Sequence, residues 1–222
     1  MPDSTWIAGG NLEHAGPGRF DRALEWIKKN RETFIGSVVI LLAAGVFAVY
    51  FFMHYRDTRD SAWKALFIAQ QTGFGGNAAE AQKQLESVEA SFAGTAAAAY
   101  AVMTRGDILF AQGKYKDAEA EYSKIASDKT LAPFAIYSLG KSKEADGDLP
   151  GAQAQYSDFL SKFPESFLAP EVHSSLARTQ EMAGAKDLAR GSYEKISLLY
   201  PDTPWAMEAK ARLQPPAAPQ KK

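Results

Sequence analysis

The hydrophobic residues of this chain are distributed in two different ways. Residues 33–53, with the sequence TFIGSVVILLAAGVFAVYFFM, form one continuous apolar run without a charged residue. As a helix with a rise of about 1.5 Å per residue, this run is about 31 Å long and matches a hydrocarbon core of about 30 Å. Beyond it, apolar residues recur with the spacing of amphipathic helices. The pattern predicts a transmembrane helix over residues 33–53 followed by an all-α domain.

The residues around the run favour a permanent anchor over a cleaved signal peptide or a buried core helix. Thirty-two residues precede the run, and the bulky residues 50–55 at its end make a poor cleavage site. A core helix would show a polar face, whereas this run shows none apart from Thr33 and Ser37. We therefore expect the run to contact the lipid bilayer permanently.

Basic residues near the ends of the run predict its orientation, because lysine and arginine concentrate on the cytoplasmic side. Before the run stand Arg19, Arg22, Lys28, Lys29 and Arg31, and after it stand Arg56, Arg59 and Lys64. This excess predicts a short cytoplasmic segment at residues 1–32 and places the C-terminal domain on the other side of the membrane.

Residues 54–95 read as a pair of helices beside the membrane. Helical patterns at Ser61–Gln71 and Ala78–Phe92 are separated by a stretch rich in glycine. That stretch lacks the Lys-Ser/Thr of a phosphate-binding loop, so a helix–helix turn is favoured. The pair is either a degenerate structural repeat or a cap on the repeats that follow.

Three later segments share one pattern. Each has a glycine, an alanine five residues later, a tyrosine four further on and a bulky apolar residue after three more. The three sets are Gly113, Ala118, Tyr122 and Ile125; Gly147, Ala152, Tyr156 and Phe159; and Gly184, Ala189, Tyr193 and Ile196. The steps between the glycines are 34 and 37 residues. A period near 34 predicts tetratricopeptide repeats, which are helix–turn–helix units.

The predicted fold class is therefore an all-α protein with an N-terminal transmembrane helix followed by a tetratricopeptide-repeat α-solenoid. Residues 96–213 would hold three repeats and a capping helix, and residues 214–222 a disordered tail. Small residues would let paired helices approach closely, and the repeated tyrosines would fill the space toward the next repeat. The small pairs are Gly106 with Ala118, Gly140 with Ala152, and Ala177 with Ala189.

Composition narrows the possible functions. The formal net charge of -1 argues against broad nucleic-acid binding, which requires a basic surface. Because cysteine is absent, the chain has no disulfide, thiol nucleophile or cysteine-ligated zinc. The three histidines, His14, His54 and His173, lack metal-ligand spacing. We therefore expect neither an enzyme nor a cofactor, metal or small-molecule substrate.

A stacked helical repeat offers a concave surface lined by the first helix of each unit. In tetratricopeptide repeats, the second, fifth, ninth and twelfth positions of that helix commonly face the groove. Here these positions hold Tyr100, Met103, Asp107 and Phe110; Phe134, Tyr137, Lys141 and Glu144; and Glu171, Ser174, Arg178 and Glu181. The aromatic residues suit an apolar peptide or an unfolded segment. The alternative is that they pack against the 61–92 helix pair or a homodimer partner.

The layout resembles a bacterial family of single-span inner-membrane proteins with periplasmic tetratricopeptide repeats, the YfgM-like ancillary subunits of the Sec translocon. The resemblance covers roughly residues 22–130 and is carried by LEWIKKN at 24–30, the apolar run, WKAL at 63–66 and Gly94-Thr95. The later segments KFPES at 162–166 and LYPDTP at 199–204 are more similar to repeats of Tol–Pal accessory and outer-membrane-assembly lipoproteins.

Two functions follow as expectations. The resemblance implies a scaffold anchored in the bacterial inner membrane, with its repeats in the periplasm and the Sec translocon, periplasmic chaperones or translocating chains as partners. The alternative is a structural assembly subunit of a cell-envelope machine for outer-membrane assembly, division or pilus formation.

Overall fold

The computed structural model describes residues 18–214, and every regular element within that range is an α-helix. Most of the predicted disordered tail 214–222 and the first part of segment 1–32 lie outside the described residues. The helices are α1 (Arg19–Lys29), α2 (Arg31–Phe74), α3 (Ala78–Ser91), α4 (Ala96–Ala111), α5 (Tyr115–Lys124), α6 (Ala132–Ala145), α7 (Leu149–Lys162), α8 (Ala169–Met182), α9 (Lys186–Leu199) and α10 (Pro204–Leu213).

The chain divides into two compact units, Met1–Arg56 and Asp57–Lys222. In its described part, the first unit consists of α1 and the apolar beginning of α2. No part of the most apolar window of α2 is buried, and Leu41, for example, is 71% exposed. This helix is long and apolar enough to span a membrane.

Helix α2 is longer than the sequence pattern predicts. The apolar run and the separate helical pattern at Ser61–Gln71 belong to one continuous helix. The connecting residues 54–60, HYRDTRD, contain neither proline nor glycine, so nothing in them interrupts the helical hydrogen bonds. A change from apolar to polar residues therefore did not mark a helix end.

The second unit is a row of helices in which each one packs against its neighbours in sequence from α3 to α10. This is the arrangement of an α-solenoid. The last part of α2 joins the row through a shared apolar core with α3 and α4. That core contains Ala62, Leu66, Ala69, Leu85, Val88, Ala97 and Ala101.

The helices of a pair approach closely where the sequence places small residues. Ala118 and Ala152 are fully buried, and the rings of Tyr122 and Tyr156 lie directly against Gly106 and Gly140. A Cβ atom on either glycine would overlap the facing tyrosine ring. The interior is close-packed, so these positions leave no room for even one methyl group.

Glycine also permits the turn within each pair. Gly113, Gly147 and Gly184 have φ of 73°, 85° and 75°, a left-handed conformation that costs other residues energy. After the last repeat, α10 buries Ala206 and Ala209, and it packs on α9. The repeats therefore end on a helix that covers the last pair.

We predict that Gly140→Ala lowers the free energy of unfolding by about 1–3 kcal/mol, because the added methyl group overpacks against Tyr156. Urea denaturation followed by circular dichroism would measure the change. Gly191→Ala in α9 is the matched control, since a Cβ there meets no atom within 4 Å. It should leave stability unchanged or raise it by up to about 1 kcal/mol. Equal effects of the two substitutions would contradict the close approach.

Stability should also depend on the protonation of His173, which is buried in α8 beside the ring of Tyr200. Burial, assisted by the charge of Lys195, lowers the pKa of His173 to about 4. An unfolded histidine binds a proton below pH of about 6.5, so stability is lost as pH falls between these two values.

From the pKa values of His173 in the folded and unfolded protein, we expect this histidine to lower the free energy of unfolding by about 2 kcal/mol between pH 7.5 and pH 5. Urea denaturation of wild type and His173→Leu at both pH values would isolate the effect, since the carboxylates titrate equally in both. A stability difference between the two proteins that does not change with pH would exclude it.

Candidate protein-binding groove

The first helices of the three predicted repeats, α4, α6 and α8, carry the residues expected to face a groove. Tyr100, Met103, Phe110, Phe134, Tyr137 and Arg178 are half-buried, whereas Asp107 and Lys141 are exposed. The structure thus leaves part of every one of these side chains accessible to a partner. Ser174 on α8 is the exception, because it is buried with 7% of its surface exposed and the prediction for it is wrong.

The aromatic residues at this surface already have neighbours within the chain. The ring of Tyr100 lies 5.4 Å from that of Trp63 on α2, as the alternative of packing against the 61–92 pair requires. The ring of Phe134 lies 5.9 Å from that of Phe167, which is itself 75% exposed. Phe134 and Phe167 together therefore present an apolar surface.

Lys141 lies between two aromatic side chains of this surface. Its Nζ atom is 5.4 Å from the ring centre of Phe110 and 5.7 Å from that of Tyr137. Cation–π attraction at these distances holds the ammonium group across two helices. The groove therefore combines aromatic faces with one exposed positive charge.

Each repeat also joins its buried tyrosine to a carboxylate on the first helix. The hydroxyl of Tyr122 donates to Asp107 at 2.7 Å, that of Tyr156 to Glu144 at 2.7 Å, and that of Tyr193 to Glu181 at 2.9 Å. Burial and the neighbouring carboxylates raise the pKa of these tyrosines, that of Tyr193 to about 12. The hydroxyls therefore remain protonated donors at neutral pH.

Further polar contacts connect one repeat with the next. Arg178 donates from Nε and Nη2 to the two oxygens of Glu144 at 2.9 and 3.1 Å, and the hydrogen bond and charge of Glu144 raise the pKa of Arg178. Glu171 accepts from Tyr137 at 3.1 Å and from Trp205 at 2.8 Å. Arg178, predicted to face a ligand, is thus already paired within the protein.

Two cavities adjoin at Asp107. One, of about 330 Å³, lies between the last part of α2 and α4 and is lined by Gln70, Gly73, Phe74, Thr104, Asp107, Ile108 and Ala111. The other, of about 110 Å³, is lined by Asp107, Phe110, Tyr122, Ser138 and Lys141. Of the residues predicted for the groove, Asp107, Phe110 and Lys141 are thus brought together around one space.

The helix at Ser61–Gln71 is predicted as part of a degenerate repeat or cap, but none of its residues is predicted to line the groove. Trp63 and Gln70 stand 37 residues before Tyr100 and Asp107, and Ala69 stands 37 before Gly106. The same step of 37 separates Gly147 from Gly184. This spacing identifies the last part of α2 as a first helix in register with the others. Trp205 stands 34 residues after Glu171 and so continues the same register, whereas Phe167 lies in a turn and has no such signal.

Comparisons with known proteins agree with this arrangement. Two family models, both described as tetratricopeptide repeat, match residues 74–135 and 134–166. The first match begins in the last residue of α2 and includes α3. None of the curated proteins matches the chain in sequence.

Several solved structures share the fold. A tetratricopeptide repeat protein from Parabacteroides merdae superposes with a TM-score of 0.59 at 17% identity, covering 69% of this chain and 59% of that one. The nearly identical TPR-like repeats from Podosopora anserina superpose with a TM-score of 0.56 at 16% identity, covering 70% of this chain and 84% of that one. MamA from AMB-1 superposes with a TM-score of 0.51 at 18% identity, covering 65% of this chain and 75% of that one. The chain therefore carries tetratricopeptide repeats, a fold that serves as a scaffold for binding other proteins.

Proposed function

We propose that this protein is a non-catalytic scaffold, anchored in the bacterial inner membrane by α2, that binds proteins with its repeats at the periplasmic face. Its partners would be the Sec translocon, periplasmic chaperones or translocating chains. The observation that carries the anchoring is that no residue in the apolar window of α2 is buried. Exposing such an apolar surface to water is unfavourable, whereas contact with lipid hydrocarbon removes it from water.

The surface of α4 and α6 supports the choice of proteins as partners. Met103, Phe110, Phe134 and Tyr137 offer partly exposed apolar and aromatic area, and Met103 adapts readily to different side chains. Apolar area with a few fixed polar groups suits segments that have not yet buried their own hydrophobic residues. The resemblance of residues 22–130 to the YfgM-like family supports the translocon and chaperones as the specific partners.

Charged residues introduced into the apolar window of α2 test whether this helix anchors the protein in the membrane. Replacing Leu41 and Leu42 by arginine should release the protein from the membrane fraction, because each arginine near a helix centre costs about 2.5–3.5 kcal/mol on insertion. Membrane flotation of cell lysates would measure the loss. Leu198→Arg on α9 is the matched control, since that side chain is 81% exposed outside the window. Retention of the double variant in membranes would refute the anchor.

Site-specific crosslinking in cells tests the groove. A photoreactive amino acid at Met103 or Phe110 should give several-fold more adducts with translocon subunits, chaperones or translocating chains than the same group at Leu198. Mass spectrometry would identify the adducts. Equal yields at the groove and at Leu198 would contradict the proposed surface. Recovery of one stable envelope complex at the groove positions would support a structural assembly subunit instead.

A further inference from the structure

We propose that the larger cavity beside Asp107 is a subsite that receives a basic side chain, arginine or lysine, of a bound protein segment. The proposal rests on the protein-binding function proposed above and specifies part of the partner. The cavity lies between the last part of α2 and α4 and has a volume of about 330 Å³. Its walls and its polar atoms point to a ligand with an apolar stem and a cationic tip.

The walls of the cavity are mostly apolar. Phe74 is 85% exposed, Ile108 is half-buried, and Ala111 is exposed at the cavity edge. Arginine and lysine side chains lay their methylene groups along such surfaces while the charged end reaches a polar group. The cavity therefore has a surface for the stem of a basic side chain.

The only charged residue among those lining this cavity is Asp107. Its Oδ1 atom accepts the hydroxyl proton of Tyr122, and no hydrogen bond from the described residues reaches its second oxygen. Gln70 uses its amide nitrogen to donate to Thr104, whose hydroxyl donates to the carbonyl of Tyr100. The groups left for a ligand are the second oxygen of Asp107 and the amide oxygen of Gln70, which are acceptors, together with one N–H of the Gln70 amide.

Lys141 acts on this carboxylate through its charge but does not form an ion pair with it. Lys141 lines the smaller adjoining cavity and lies over the rings of Phe110 and Tyr137, and it forms no ion pair with Asp107. The surrounding groups exclude water from part of Asp107 and raise its pKa, although Tyr122 and Lys141 oppose the shift. A cation that enters from the larger cavity meets an anion that has no ion-pair partner among the described residues.

Selection of random displayed peptides on the full-length protein in detergent tests the subsite. We expect arginine and lysine to be enriched several-fold in peptides selected on wild type. Asp107→Asn should abolish this enrichment, because asparagine keeps an acceptor for Tyr122 but removes the charge. Ala111→Phe should abolish it as well, because the ring fills the cavity while Asp107 stays intact. Asp187→Asn, an exposed aspartate on α9, is the matched control and should retain the enrichment.

The outcomes separate this proposal from the one on which it rests. Circular dichroism and thermal melting would first establish that all variants fold. Peptides selected without a basic preference, or with an acidic preference directed by Lys141, would overturn the subsite and leave the groove function intact. A basic preference that persists in Ala111→Phe would place the cation elsewhere and also overturn it. Failure of wild type to select any peptide would overturn both proposals.

Discussion

The close approach of the two helices in each pair is the constraint on which the rest of the repeat domain depends. A buried tyrosine ring occupies the space that a missing Cβ leaves at Gly106 and Gly140. Its hydroxyl then reaches a carboxylate on the first helix, at 2.7 Å in both pairs. One small residue thus permits both the apolar packing and a hydrogen bond that a buried hydroxyl requires.

The same packing connects groove residues with the buried tyrosines by hydrogen bonds. Asp107 and Glu144 stand at positions that could face a ligand, yet each has an oxygen engaged by a core tyrosine. Glu144 is also bound by Arg178 from the next repeat. Their geometry is therefore fixed before any partner arrives, which lowers the entropy that binding must overcome. The residues left with accessible chemistry are Lys141, the free side of Asp107 and the aromatic faces.

Much of this fold could be predicted from the sequence, because its determinants are local. The glycine turns, the small residues at Ala118 and Ala152 and the repeated tyrosines recur at fixed spacing, so helix pairs and their register follow from the pattern. The contact of Phe134 with Phe167 could not be predicted in the same way. It depends on how consecutive pairs stack, and Phe167 lies in a turn outside the repeat pattern.

In helix α2, the side chains change from apolar to polar at a point where the helix does not end. Within one uninterrupted helix, Leu41 and its neighbours are exposed apolar residues, whereas Ala62, Leu66 and Ala69 are buried against α3 and α4. Backbone hydrogen bonds form in a helix whether its side chains are apolar or polar, so the polarity of the side chains can change along it without a break. The end of the apolar run therefore marks a change of side-chain polarity, and the helix itself ends where Gly75 and Gly76 follow Phe74.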